Sequence, residues 1–129
     1  MVEIGTGWGY QTAILSELAQ QVYSMELVEE LAAQASLRLA RHGLLNVEIK
    51  VGNGWRGWPE HAPLDKVIVA AATELIPPSL IQQLNPGGKM VIPCGPPEVQ
   101  RLMLVDKDAK ASVSTREIFA VLFSPLDAS

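Results

Sequence analysis

Three short stretches carry residue types that could hold a nucleoside, and each follows a strand-like run. The first is Glu3-Ile4-Gly5-Thr6-Gly7-Trp8-Gly9-Tyr10. Glycines at alternate positions let the backbone turn sharply and let a ligand press against bare main chain. A helix beginning after such a turn offers free N–H groups at its start. The second is Glu26, which closes the apolar run Val22 to Met25. A carboxylate about 20 residues past the first glycine, at a strand end, is placed to accept both hydroxyls of a ribose. The third is Gly52-Asn53-Gly54-Trp55, where a side-chain amide between glycines can reach an adenine edge. Each stretch also has a plainer explanation. The glycines alone suit any strand-to-helix turn. Glu26 could be a solvated acid complementing a helix dipole, and Asn53 an ordinary turn residue. The ligand reading leads because the three occur together.

The elements that must position these residues alternate between strand and helix. Met1 to Ile4 reads as a short strand, and Tyr10 to Ala19 as a helix with Ile14, Leu15 and Leu18 on one face. Val22 to Met25 is a second strand. Val28 to Arg41 is a longer helix with Val28, Leu31, Ala32, Ala35 and Leu39 as its buried stripe, capped near Gly43. Val47 to Val51 is a third strand, and Gly52 to Pro63 a loop rich in Gly, Pro and Trp. The apolar run Lys66 to Ala71 suits a strand buried on both faces. A short helix follows from Pro77-Pro78 to Leu84. Asn85-Pro86-Gly87-Gly88 then turns into the strand Lys89 to Ile92. The runs Val99 to Val105 and Val113 to Phe123, with polar Asp106 to Ser112 between them, suggest a hairpin. This order predicts an α/β fold: a Rossmann-like, doubly wound, mostly parallel sheet with a C-terminal antiparallel hairpin. Ligands bind such sheets beyond the carboxyl ends of the strands, which is where the three stretches converge.

The 129 residues are 48% hydrophobic and 19% charged, the composition of one globular domain spanning residues 1–129. A net charge of −4 without basic clusters argues against a nucleic-acid partner. No apolar stretch approaches the roughly 20 residues of a membrane span. Met1 is followed by Val2-Glu3-Ile4 rather than a basic start and a long apolar run, so the expected location is cytoplasmic. Cys94 is the single cysteine and is expected to be a small buried hydrophobe. No Cys/His cluster has metal-ligand spacing, and no metal is expected. The spacing Gly-x-Gly-x-Gly, followed by bulky Tyr10, disfavours a nicotinamide or flavin site. Trp8 is expected at the ligand turn, Trp55 and Trp58 mainly in packing, and His42 at a helix end. His61 beside Glu60 is expected to have no catalytic role.

Glu3-Ile4-Gly5-Thr6-Gly7-Trp8-Gly9-Tyr10-Gln11-Thr12-Ala13 resembles the first motif of the protein-L-isoaspartate O-methyltransferases. The resemblance continues through Val22-Tyr23-Ser24-Met25-Glu26, Asn46-Val47, Gly52-Asn53-Gly54 and Gly57-Trp58-Pro59. Ile76-Pro77, Leu80-Ile81-Gln82-Gln83-Leu84, Pro86-Gly87-Gly88, Val91-Ile92-Pro93 and Ser124-Pro125-Leu126 extend it over nearly the whole chain. It implies a class I methyltransferase fold with S-adenosyl-L-methionine as cofactor, bound by Glu3, Gly5, Thr6, Gly7, Gly9, Glu26, Asn53 and Gly54. It implies isoaspartyl peptides and proteins as substrates, methylated on a carboxylate that is already ionised at neutral pH. The methyl ester would then collapse to a succinimide, whose hydrolysis returns some normal aspartate. No catalytic side chain is assigned, and the oligomeric state stays open. The alternatives are another class I methyltransferase and a non-catalytic nucleoside-binding fragment. Two positions depart from the family: Asn53 stands where Asp is usual, and Ala70 where Thr or Gly is frequent. The family also carries a region before the glycine motif, with a Ser/Thr-bearing segment near the reacting carboxylate. This chain lacks it, and is therefore expected to be inactive alone.

Overall fold

The computed structural model describes residues 1–121 together with Phe123 and Leu126. Its elements run β1 (Val2–Ile4), α1 (Tyr10–Leu18), β2 (Val22–Glu26), α2 (Glu29–Arg41) and β3 (Val47–Val51). Two 3-10 turns, Gly54–Arg56 and Pro59–His61, precede β4 (Leu64–Val69). Then come α3 (Pro78–Gln83), β5 (Leu84–Cys94), β6 (Gln100–Lys107) and β7 (Val113–Val121). Among the described residues, seven strands form one sheet in the order β3-β2-β1-β4-β5-β6-β7. Strands β1 to β5 pair in parallel, and β6 and β7 add antiparallel. The chain lays β2 and β3 on one side of β1, then crosses to place β4 on the other. This reversal puts the topological switch point directly beyond β1 and β4.

Alternation along β1 and β2 sorts the two faces of the sheet. Val2, Ile4 and Met25 join Trp58, Val67, Val69, Leu80, Met90 and Ile92 in the main core. Glu3 and Ser24, paired in register, point to the opposite face with α1, where Thr12 and Gln11 meet Glu3. That polar patch reshapes α1. The expected buried face of Ile14, Leu15 and Leu18 reduces to Leu15, while polar Thr12 and Ser16 turn inward. Ile14 and Leu18 are exposed. With Trp8, Tyr10, Leu39 and Leu44, Ile14 lines a groove of about 570 Å3 along α1 and α2.

In α2 the buried stripe is Ala32, Ala35 and Leu39, while Val28 caps the helix and is half-exposed. The Gly52 to Pro63 loop is more ordered than its composition suggested, since both 3-10 turns fall within it. The tight turn expected at residues 85–88 is absorbed as an irregularity in β5, which already pairs at Leu84. The hairpin between β6 and β7 closes on Asp108, whose carboxylate accepts from the Lys110 and Ser112 N–H groups. At the C-terminal end, Leu126 donates its N–H to the Ala72 carbonyl at 2.7 Å. Leu122, in the last expected strand, and Ser124-Pro125, in the closing motif, lie outside the described residues.

Candidate functional site

A cleft of about 300 Å3 opens at the switch point. Its walls are Ile4 and Gly5 at the end of β1, Gly7 in the turn, Met25 to Val28 at the end of β2, Gly52 and Gly54 after β3, Ala70 and Ala71 after β4, and Leu126. That volume lies at the lower bound for small-molecule sites, and its setting is where parallel sheets bind ligands.

The glycine turn is built by conformations open to glycine. Gly5 has φ 101° and Gly7 φ 54°, both in the left-handed half of backbone space. Gly5 and Thr6 donate their N–H groups to the Met25 carbonyl, which holds the turn over the end of β2. Gly7 donates to Glu26 Oε1 at 2.8 Å, and Val28 donates to Glu26 Oε2 at 3.0 Å. Glu26 is buried, yet it borders the cleft. Two backbone donors pin its carboxylate in one orientation, and each oxygen retains acceptor capacity toward a ligand hydroxyl.

The other candidate residues divide between contact and support. Gly54 lines the cleft beside Ile4, and a Cβ there would stand 2.1 Å from Ile4 Cγ2. Asn53 does not line it. Its Oδ1 accepts from the Trp55 N–H at 2.9 Å and caps the first 3-10 turn. Gly9 caps α1 and packs against α2, its missing Cβ lying 3.4 Å from Ala35 Cβ. Thr6 and Glu3 are buried beneath the turn. Burial pushes the Glu3 carboxyl above its ordinary value of 4.5, against the pull of its Ser24, Thr12 and Gln11 hydrogen bonds. The charge of Glu26 adds to that rise. The structure thus brings Gly5, Gly7, Glu26 and Gly54 to the cleft wall, while Glu3 and Thr6 are buried, Gly9 lines the groove along α1 and α2, and Asn53 caps its turn.

Sequence reasoning did not assign Ile4, Met25, Leu27, Val28, Ala71 and Leu126 to the cleft. Their side chains carry no chemical signal. For all but Leu126, position at or just beyond the carboxyl end of a strand was the usable clue. Trp8 points away from the cleft, and the Arg38 guanidinium lies 5.0 Å from its ring centroid. Trp58 is buried in the core, edge-on to Tyr23. His61 stacks on Tyr23 at 3.7 Å, a packing role. Trp55 lines a neighbouring pocket with Thr73, Leu75 and Gln100. Cys94 is half-buried rather than sealed in the core, and its thiol donates to the Glu74 carbonyl.

Fold and site together define a doubly wound α/β domain with a cleft at the switch point of its parallel sheet. The protein-L-isoaspartate(D-aspartate) O-methyltransferase family model matches residues 1–129, and the chain belongs to that family. Protein-L-isoaspartate O-methyltransferase 1 of Polaromonas sp. is 68% identical over 127 residues, which are 98% of this chain and 54% of that protein. Protein-L-isoaspartate O-methyltransferase 2 of Syntrophobacter fumaroxidans is 52% identical, over 98% of this chain and 51% of its own length. The chain therefore spans about half the length of these two curated relatives. A solved protein-L-isoaspartate O-methyltransferase superposes with a TM-score of 0.88 at 26% identity, covering 96% of this chain and 40% of that one. The fold also matches a Plasmodium falciparum structure described as a protein-L-isoaspartate O-methyltransferase in complex with S-adenosyl-L-homocysteine. Its TM-score is 0.83 at 24% identity, covering 99% of this chain and 65% of that one.

Proposed function

We propose that this chain forms the S-adenosyl-L-methionine-binding core of an enzyme that methylates the carboxylate of L-isoaspartyl residues in damaged proteins. The observation that carries the reading is Glu26, a buried carboxylate pinned by the Gly7 and Val28 N–H groups at the edge of the cleft. The cleft suits the cofactor in chemistry as well as in place. Glu26 can accept ribose hydroxyls, bare main chain at Gly5, Gly7, Gly52 and Gly54 permits close approach, and Ile4, Met25 and Leu27 supply apolar wall. When bound, S-adenosyl-L-methionine supplies an electrophilic methyl group on sulfur.

The protein's own contribution is orientation. An isoaspartyl carboxylate is ionised at neutral pH and needs no base to make it nucleophilic. Holding two reactants in line can by itself supply about 7–11 kcal/mol of barrier lowering. Glu26 and the glycine turn hold the nucleoside end, so their rigidity sets the position of the reacting end.

Calorimetric titration with S-adenosyl-L-homocysteine tests the cofactor, and NADH serves as the comparison. Binding of the first and not the second is expected. Glu26→Ala should weaken that binding by about 1.5–3 kcal/mol, the value of hydrogen bonds to a charged group. Binding of NADH alone overturns the reading. For the substrate, radiolabelled methyl transfer to an isoaspartyl peptide is compared with transfer to its normal aspartyl isomer. Equal labelling of both would remove isoaspartate from the proposal.

A further inference from the structure

The segment Gly5 to Gly9 contributes Gly5 and Gly7 to the cleft wall. Three of its five residues have no side chain, and Trp8 is 64% exposed, so none of these four buries a side chain beneath the turn. Thr6 is the remaining residue, and it is buried. Its hydroxyl lies 2.5 Å from Ser24 Oγ, and Ser24 Oγ lies 2.6 Å from Glu3 Oε1.

The direction of these bonds follows from proton counting. Ser24 has one hydroxyl proton, and it is committed to the Glu3 carboxylate. The Thr6–Ser24 contact must then use the Thr6 proton, so the relay runs from Thr6 through Ser24 to Glu3. Glu3 Oε1 also accepts from Thr12 Oγ1, and Oε2 accepts from Gln11 Nε2 at 2.9 Å. Thr12 and Gln11 belong to the first turn of α1. One carboxylate on the central strand therefore collects the turn, β2 and the helix start. Glu3 is 0% exposed and absent from the cleft wall, so a ligand in the cleft does not touch it.

We propose that Glu3 is a positioning residue of the cofactor cleft: through Ser24 it fixes Thr6, and through Thr12 and Gln11 the start of α1, so that the Gly7 N–H stays on Glu26. The assignment to a cofactor rests on the function proposed above, whereas the restraint on the turn does not. Ser24 is the informative position, because Ser24→Ala cuts the relay and leaves the Glu3 carboxylate in place. Glu3→Gln keeps the shape but sets an amide N–H2 against donors.

Two measurements on this full chain separate the claims. Amide hydrogen exchange in the ligand-free protein reads the turn directly. Gly7 should exchange about tenfold faster in Ser24→Ala and Glu3→Gln, the effect of one buried donor left unpaired. Val67, in the core of β4, should not change, and Ser24→Thr should restore protection at Gly7. S-adenosyl-L-homocysteine affinity should fall by about tenfold in each single variant, and little further in the double variant, because both changes cut the same relay. Unchanged Gly7 exchange in folded Ser24→Ala overturns the proposal, as does an additive loss in the double variant. If Glu3→Gln fails to fold, Ser24→Ala and Ser24→Thr still decide. If the turn loosens as expected but the unaltered chain binds no S-adenosyl-L-homocysteine, the cofactor reading fails and the positioning role stands.

Discussion

Two glutamates of the glycine-turn region differ entirely in environment: Glu26 meets the cleft, and Glu3 does not. Both collect hydrogen-bond donors, but Glu3 pays in desolvation for its place inside the sheet. Its raised pKa has a signed consequence. Between the ordinary value of 4.5 and the raised native value, the folded chain binds more protons than the unfolded one. Stability from this group is fully present below that ordinary value and is lost as pH rises through the native one. Urea unfolding followed upward from the ordinary carboxyl value of 4.5 should therefore show stability falling more steeply with pH in the unaltered chain than in Glu3→Gln. Identical slopes would mean that Glu3 titrates alike in both states. Asn53 yields a second prediction at this scale. Asn53→Ala removes the acceptor that caps the first 3-10 turn and should cost about 1 kcal/mol, whereas Asn53→Asp keeps an acceptor and should cost less. Denaturation midpoints order the two variants.

At the scale of elements, the site depends on how closely the loops approach the strand ends. The turn at Gly54 rests on Ile4 so tightly that an added methyl would overlap the Ile4 side chain. Gly54→Ala should therefore destabilise the fold by about 1–3 kcal/mol, through displacement of either the turn or β1. A shift in urea midpoint checks this, and an unchanged midpoint would show that the turn relaxes freely. The following loop is tied to α3 by Gln83. Its Oε1 accepts from the Trp58 N–H at 2.8 Å and its Nε2 donates to the Arg56 carbonyl at 2.9 Å. That pair explains how a segment rich in Gly and Pro becomes ordered, with Trp58 sealed in the core.

At the scale of the whole molecule, the described chain leaves apolar surface open. Trp8, Tyr10, Ile14 and Leu18 are exposed around α1, and Ile118 and Phe119 on β7. The curated relatives are about twice as long. We expect the 129 residues alone to methylate an isoaspartyl peptide much more slowly than the full-length Polaromonas relative, because positioning of the substrate requires a surface on both sides of the reacting groups. Initial rates with matched peptide and cofactor concentrations test it, and equal rates would show this chain to be self-sufficient.

The sequence by itself determined the order of strands and helices, the parallel sheet with its terminal hairpin, and the strand ends at which the glycine turn, Glu26 and the Asn53 loop stand. These are local properties, written in side-chain periodicity and in the backbone freedom of glycine. Only the tertiary structure decided which candidates reach the cleft. Glu3 and Ile4 are neighbours in sequence, yet alternation along β1 sends one beneath α1 and the other into the core. The polar face around Glu3 turned Thr12 inward and left Ile14 and Leu18 outside, against the apolar pattern of α1. Asn53 was drawn into capping its own turn. Each outcome depends on partners 9 to 21 residues away or on a turn geometry set by packing, and helix periodicity carries no record of what the opposing strand presents.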